Sequence, residues 1–402
     1  MFDLLTFDNA ELSEKIKEAD QVLEKIPVGG DALVRGCVSD MTEVVKNIPT
    51  RPVSISQLKS WLSCKRKWAL QRTFPETDLK EFFVLGKAVH RALEVYHKSG
   101  KDAELSHLAM QRELVPDVEH SFLNLYPLTK SMFDGYIDFD KKFHSFDIID
   151  TEIEFEIPLE DVSADALMSL SEEERKTIPK AKGVIDFVAV TTKEIYVSDT
   201  VVIPAGEIIA GEYKTAAKSG NIDYETDPQA SLYLLALSKI LGRPVNWIVY
   251  NTLYKKKPAK PEILKSGDVS ARAITTTQKI YGDALIEVYG SVEAAPEKCQ
   301  ALYNNLVNSD TSFYDRTFVH RCSEELQEVQ ERLGRMIPML NEDYESISNG
   351  FEETQQYDFS RCYPNPGRDC PTMCERREQC LSMNRNQPLL ANKGFSVKIG
   401  QK

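Results

Sequence analysis

The spacing of apolar residues divides the chain into an α-rich start, a β-rich middle and a second α-rich stretch. Residues 1 to about 50 place Leu12, Ile16 and Val22 among many charges, a helical spacing broken at Pro49 and Pro52. A helix is expected to begin at Ser54 or Ser56, where a hydroxyl can cap the free amides, and to run through Leu58, Trp61 and Leu62 into Cys64 and the basic run Lys65, Arg66, Lys67. The next spans 86–97, with Val89, Leu93 and Tyr96 on one stripe and Gly100 placed to stop it. His90 and Glu94, four apart on that helix, can point into one site.

From about residue 146 the period shortens. Residues 146–159, 183–190, 194–198 and 207–214 are rich in Ile, Val and Phe and predict strands, with a helical insertion over 161–180 around Ser171-Glu172-Glu173-Glu174. Asp227-Pro228 marks a helix start, the apolar run 232–241 before Gly242 a helix buried on several sides, and 245–254 a further strand. Beyond Lys255-Lys256-Lys257-Pro258 the pattern predicts helices over 277–289, 296–307 and 323–348. The expected division is a helical segment over 1–50, an α/β core over 51–270 and a helical region over 271–402.

The 402 residues, 42% of them hydrophobic, suffice for one large core with helical additions. No run approaches the roughly 18 apolar residues of a membrane span, and the first residues lack a basic region followed by an apolar one, so a cytoplasmic protein is expected. A net charge of −13 argues against diffuse coating of duplex DNA, because phosphate binding is largely neutralisation by Lys and Arg; it leaves room for a local basic groove beside carboxylates gathered for a metal.

The central chemical signal is Asp186 in Gly183-Val184-Ile185-Asp186-Phe187, followed by Glu212-Tyr213-Lys214 at the end of another apolar strand. Alternate strand residues share a face, so Glu212 and Lys214 project together and Asp186 can meet them from a neighbouring strand. Hydrolysis of a phosphodiester needs a cation on the phosphate and an activated water; hard oxygen ligands select Mg2+ or Mn2+, and a lysine beside them can orient the water and offset charge on the phosphate. The apolar surroundings make these ionisable groups costly unless they face a cleft.

Of the eight cysteines, Cys370, Cys374 and Cys380 form C-x3-C-x5-C, close enough for one loop to wrap a metal centre. Three thiolates leave a fourth position, and either structural zinc or an iron–sulfur cluster satisfies the spacing. Cys362 has the longer spacing expected of a free thiol, and Cys37, Cys299 and Cys322 read as ordinary core or surface residues.

Taken in order, these motifs resemble the RecB-like branch of the PD-(D/E)xK nucleases. Residues 86–94, GKAVHRALE, look like that branch's helix with a metal-binding histidine at His90. Residues 183–187 look like its aspartate strand, and Glu212-Tyr213-Lys214 like its (D/E)xK triplet. Asp227-Pro228-Gln229-Ala230-Ser231-Leu232-Tyr233 looks like its helix bearing a glutamine and a tyrosine. The long segment between Asp186 and Glu212, and glutamate for the commoner aspartate in the triplet, depart from the pattern without removing a carboxylate.

The resemblance implies a restriction-endonuclease-like central mixed β-sheet flanked by helices, with Asp186, Glu212, Lys214, Gln229 and Tyr233 at the catalytic site and His90, Asp186 and Glu212 on Mg2+ or Mn2+. It nominates Cys64 as the fourth ligand, with Cys370, Cys374 and Cys380, of a 4Fe-4S cluster stapling the N- and C-terminal additions, zinc being the alternative. It further implies DNA with free ends or single-stranded character as substrate, exonucleolytic cleavage in recombination, repair or phage DNA metabolism, and a recombination or helicase partner. A non-catalytic iron–sulfur DNA-binding subunit is the competing function. Lys65, Arg66, Lys67, Arg376, Arg377 and Lys255 to Lys257 are the candidate phosphate contacts.

Overall fold

Short polar residues set the first turns of the fold. The computed structural model describes residues 51–74, 80–115, 121–160, 169–217, 223–354, 357–367, 370–371 and 374–384; the expected helical segment over 1–50, with Cys37, and residues 161–168 of the expected insertion lie outside them. After the short strand β1 (Val53–Ser54), the Ser54 hydroxyl accepts from the Gln57 amide and starts helix α1 (Ile55–Ser63). The single helix expected through Cys64 is two helices. Cys64 is extended, at φ −163°, and its sulfur caps α2 (Lys65–Thr73) by accepting from the Lys67 amide.

Helices α3 (Glu81–Lys98), α4 (Ala103–Glu113) and α5 (Tyr126–Lys142) precede the long strand β2 (Phe146–Pro158). Of the insertion, α6 (Glu172–Thr177) is helical and opens on a capping box between Ser171 and Glu174. Then come β3 (Lys180–Thr191), the two-residue strands β4 (Ile195–Tyr196) and β5 (Val202–Ile203), and β6 (Ile208–Ala216). Asp227 caps α7 (Pro228–Leu241), which stops at Gly242 in the left-handed conformation, and β7 (Trp247–Tyr254) follows.

The stretch expected to be wholly helical contains α8 (Gln278–Tyr289), α9 (Glu297–Asn305), the long α10 (Ser323–Thr354) and α11 (Arg377–Asn384), but also a strand, β8 (Tyr314–His320). Three charged or polar residues, Asp315, Arg316 and Thr317, hide its alternation. Arg316, its side chain only 8% exposed, is neutralised by Asp140 at 2.5 Å, which makes it tolerable beneath the sheet.

The main sheet runs β1-β3-β6-β7-β8, with β2 antiparallel along the other edge of β3. β6 and β7 are parallel, whereas β3–β6 and β7–β8 are antiparallel, so the sheet is mixed. One face packs Trp61, Trp68, Leu234, Ile248 and Ile337 from α1, α2, α7, β7 and α10; the other packs Leu93, Phe133, Tyr136, Ile209 and Tyr213 from α3, α5 and β6. A separate small core around Tyr281, Leu285 and Cys299 holds the excursion between β7 and β8.

Candidate active site

The site lies where two strands part. Pairing of β3 with β6 ends at Phe187 opposite Gly211, so the next residues, Asp186 and Glu212, flank a split in the sheet. The Phe187 ring lies on Gly211, where any Cβ would sit 2.0 Å from it; a side chain at 211 would push the strands apart one residue too early. Parting also takes the Tyr213 amide out of the ladder. It donates instead to Oδ2 of Asp186 at 2.7 Å.

Glu212 and Lys214 share the face predicted from their spacing. Lys214 Nζ donates to Glu212 Oε1 at 2.5 Å and to Gln229 Oε1 at 3.0 Å. The Gln229 amide closes the group, donating to Glu212 Oε1 at 2.9 Å and to the Tyr233 hydroxyl at 2.8 Å. Gln229 and Tyr233 stand one turn apart on α7, and the Asp227 cap together with Pro228 fixes where that helix begins.

On the other side of the split, His90 of α3 brings Nδ1 to 3.4 Å from Asp186 Oδ2. His90, Asp186 and Glu152 offer ligand atoms that all lie within 4.8 Å of one another, a cation-sized set. Glu152 was not singled out from the sequence. It sits in β2 at φ 54°, just beyond a register shift between Ile148 and Asp150, in a conformation uncommon for a residue with a side chain. Glu94, expected beside His90, turns to Arg91 at 2.6 Å and Lys98 at 3.0 Å.

Crowded negative charge governs the protonation of the cluster. Burial and the nearby Asp186 push Glu212 up to about 8, against the opposing pull of Lys214, and the same two causes push Glu152 up to about 7. Burial works against a charged His90, but Asp186 overcomes it and raises the imidazole to about 9. Glu212 Oε2 is buried and meets no hydrogen-bond donor. His90, Glu152 and Asp186 form a donor set that a divalent cation fits, and the unsatisfied oxygen of Glu212, which lies outside that set, borders it beside Asp186.

The C-terminal cysteines come back to the break between α1 and α2. The Asn365 amide donates to Cys64 Sγ at 3.3 Å, the Asn365 side chain donates to the Ser63 carbonyl at 3.0 Å, and Cys370 Sγ lies 3.9 Å from the Asn365 carbonyl. Burial raises the Cys380 thiol, and Cys64, Cys374 and Cys370 are close enough to raise it further. Cys362 stands apart, fully buried in the core, with its thiol pushed up to about 12. Cys299 is buried and Cys322 half-buried.

The expected phosphate contacts around these cysteines are largely engaged by the protein itself. Lys65 pairs with Asp343 at 2.7 Å, Lys67 with Glu375 at 3.8 Å, Arg66 donates to the Cys362 carbonyl, and buried Arg376 donates to the Phe74 carbonyl at 2.8 Å. These cations tie α2 and its neighbours to α10 and the C-terminal segment.

A mixed sheet, flanked by helices and split around an aspartate, with a glutamate and lysine from the adjoining strand and an imidazole from a facing helix, is the arrangement that metal-dependent phosphodiester hydrolysis calls for. The chain belongs to the PD-(D/E)XK nuclease superfamily, whose family model matches residues 52–381. A comparison with curated proteins found no match.

Proposed function

We propose that the protein is a metal-dependent DNA exonuclease whose cation is held by Asp186, Glu212 and His90, joined by Glu152. The observation that carries this reading is the unsatisfied Oε2 of buried Glu212 facing Asp186 across the strand split, with Lys214 alongside. Three carboxylates admit Mg2+ or Mn2+, and the imidazole favours Mn2+ of the two. Such a cation supplies charge neutralisation at the phosphate and a lowered pKa for water.

The chain's own residues do the rest. Lys214, steered by Glu212 and Gln229, presents a fixed positive charge where the attacked phosphate gains negative charge and where a water would be oriented. The Tyr213 amide holds the Asp186 carboxylate in one rotamer, so its outward oxygen is set before substrate arrives. Gln229 and Tyr233 fix the lysine from α7. Cleavage from DNA ends, action in recombination, repair or phage DNA metabolism in the cytoplasm, and a helicase or recombination partner rest on the likeness of 86–94, 212–214 and 227–233 to the RecB-like branch. Among the described residues no helix is long and apolar enough to cross a membrane.

Cys64, Cys370, Cys374 and Cys380 would hold a 4Fe-4S cluster. A tetrahedral zinc with Zn–S bonds of about 2.3 Å draws its sulfurs to roughly 3.8 Å from one another. A cluster instead gives each thiolate its own iron, and either centre would be held by the same four residues.

End-labelled single- and double-stranded DNA incubated with anaerobically purified protein and Mg2+ or Mn2+, alongside Lys214→Ala, tests the reading. Metal-dependent loss of label from the ends, absent in the variant, supports it. Wild-type protein that binds DNA but never cuts would make it a non-catalytic subunit.

A further inference from the structure

Two phenylalanines stand exposed on the helix that carries His90. Phe82 is 51% and Phe83 66% exposed, their rings 4.3 Å apart and tilted by 36°. Among the described residues no other consecutive pair of Phe, Tyr or Trp is exposed. Burying such rings is favourable and nothing in the sheet's two cores needs them outside, so their place on the surface calls for an occupant.

Their position is fixed relative to the chemistry. Phe83, Gly86 and His90 fall on one stripe of α3, and Phe83 is seven residues, about 10 Å of helix rise, from His90. Gly86 lies against Thr215, the residue after Lys214, with 3.3 Å from its ideal Cβ position to Thr215 Oγ1. The phenylalanines therefore stand near the end of β6 on the side that Thr215 presents, on one helix stripe with His90 and opposite the face that carries Lys214. Lys255 is tied to the same place: its amide donates to the Ala216 carbonyl at 2.7 Å and its ammonium lies 5.6 Å from the centre of the Phe82 ring.

An aromatic pair with a cation at its edge, about two or three nucleotides from the scissile phosphate, matches the chemistry of unpaired DNA: π-faces to stack bases and a positive charge for the backbone. Bases inside a duplex are already stacked on each other and cannot use it. Resting on the nuclease reading, we infer that Phe82 and Phe83 form a stacking platform for unpaired bases entering the site, with Lys255 on the adjoining phosphate. The substrate taken up is therefore a single strand or a frayed end, and a blunt duplex must open to be used.

The test measures binding by fluorescence anisotropy and cleavage by the full-length, cluster-loaded protein. It compares wild type with Phe82→Ala/Phe83→Ala, Phe83→Tyr and Phe83→Leu, on a single-stranded oligonucleotide, the same strand with abasic sites near its end, and a blunt duplex. The double alanine variant should lose roughly ten-fold or more in single-strand affinity, with little change on duplex. Tyrosine should restore it and leucine, equally apolar, should not. Abasic sites should weaken binding by wild type and leave the double variant unaffected, because the ring and the base are lost as one interaction.

Equal losses on single strand and duplex, additive losses from abasic sites and alanines, or full rescue by leucine would each overturn the platform while leaving the nuclease intact. Wild type that neither binds nor cuts any of the three DNAs would overturn the nuclease reading and the platform together.

Discussion

The backbone amide of Tyr213 donates to the side chain of Asp186 at 2.7 Å across the split between β3 and β6. The residue in the middle of Glu-x-Lys, whose ring points into the opposite core, thus holds the aspartate of the neighbouring strand through its main chain. The Tyr213 ring in turn is packed by Phe187 at 4.8 Å and Tyr136 at 5.7 Å between centres, and its hydroxyl sits 3.2 Å from His97 Nε2. Geometry at the cleft is set from underneath.

Lys214→Ala should lower kcat for DNA cleavage by about 100-fold or more, the cost of removing one positioned electrostatic group, with a melting temperature close to wild type. Single-turnover cleavage on labelled ends measures the first and thermal denaturation the second. An equally large fall in melting temperature would mean the lysine serves the fold.

Glu152→Gln tests the proposed ligand that the sequence did not single out against those it did. The variant should need about ten-fold more Mn2+ for half-maximal cleavage while keeping kcat at saturating metal, as loss of one ligand among several does. A titration of rate against Mn2+ reads this; an unchanged half-point would place Glu152 outside the cation's shell.

Gln229→Ala should reduce kcat/KM by roughly ten-fold, and Tyr233→Phe by less. Gln229 bonds three partners, whereas the Tyr233 hydroxyl reaches the site only through Gln229. Comparing the two variants singly and together also tests whether they act as one unit, in which case the double loss falls short of the product.

His97 gives stability a pH dependence. Burial lowers its imidazole from the ordinary value of 6.5 to about 4, with Asp140 pulling up, Lys101 pushing down, and the Tyr213 hydroxyl and Tyr96 ring against it. The unfolded chain takes a proton on His97 below about pH 6.5 and the folded one does not until about pH 4. Stability present above the first value is lost as pH falls to the second, by about 2 kcal/mol once its partial exposure is allowed for. Urea unfolding from pH 7 to 4 should show a shallower decline for His97→Gln than for wild type, and parallel curves would exclude His97 as the source.

Cys380→Ser should abolish iron and acid-labile sulfide in anaerobically purified protein, whereas Cys362→Ser should keep both. Oxidative stripping of the cluster should lower the melting temperature of wild type and leave the iron-free variant unmoved. Zinc in place of iron in elemental analysis of wild type would decide for the alternative metal.

Much of the site was legible because strand alternation and helix spacing carry it: Glu212 with Lys214, and Gln229 with Tyr233, needed only those periods. Glu152 was not. It belongs to Asp150-Thr151-Glu152-Ile153-Glu154-Phe155-Glu156, where Glu154 and Glu156 are exposed and any acid reads as solvent face. Only the positive φ at Glu152 distinguishes it. Asp186 marks a similar break in β3: Ile185 packs in one core and Phe187, two residues on, in the other, so simple alternation fails at the residue that matters. β8 was missed because Arg316 needs Asp140, a partner 176 residues away, to become an interior residue.

Asp343 of α10 is almost wholly buried and accepts from Trp61 Nε1 at 2.8 Å and Arg361 Nε at 3.0 Å, besides pairing with Lys65. With the Cys64 junction meeting Asn365, the earliest-made helices of the described fold are completed by some of its last-made residues. A ribosome must therefore translate roughly 270 residues beyond α2 before the buried Asp343 that Trp61 and Lys65 bind is made, although β3, α7 and β7 of the same core come earlier. Any centre held by the proposed ligands Cys64, Cys370, Cys374 and Cys380 would likewise be completed only after the C-terminal stretch is released, so newly made protein would first pass through an open stage.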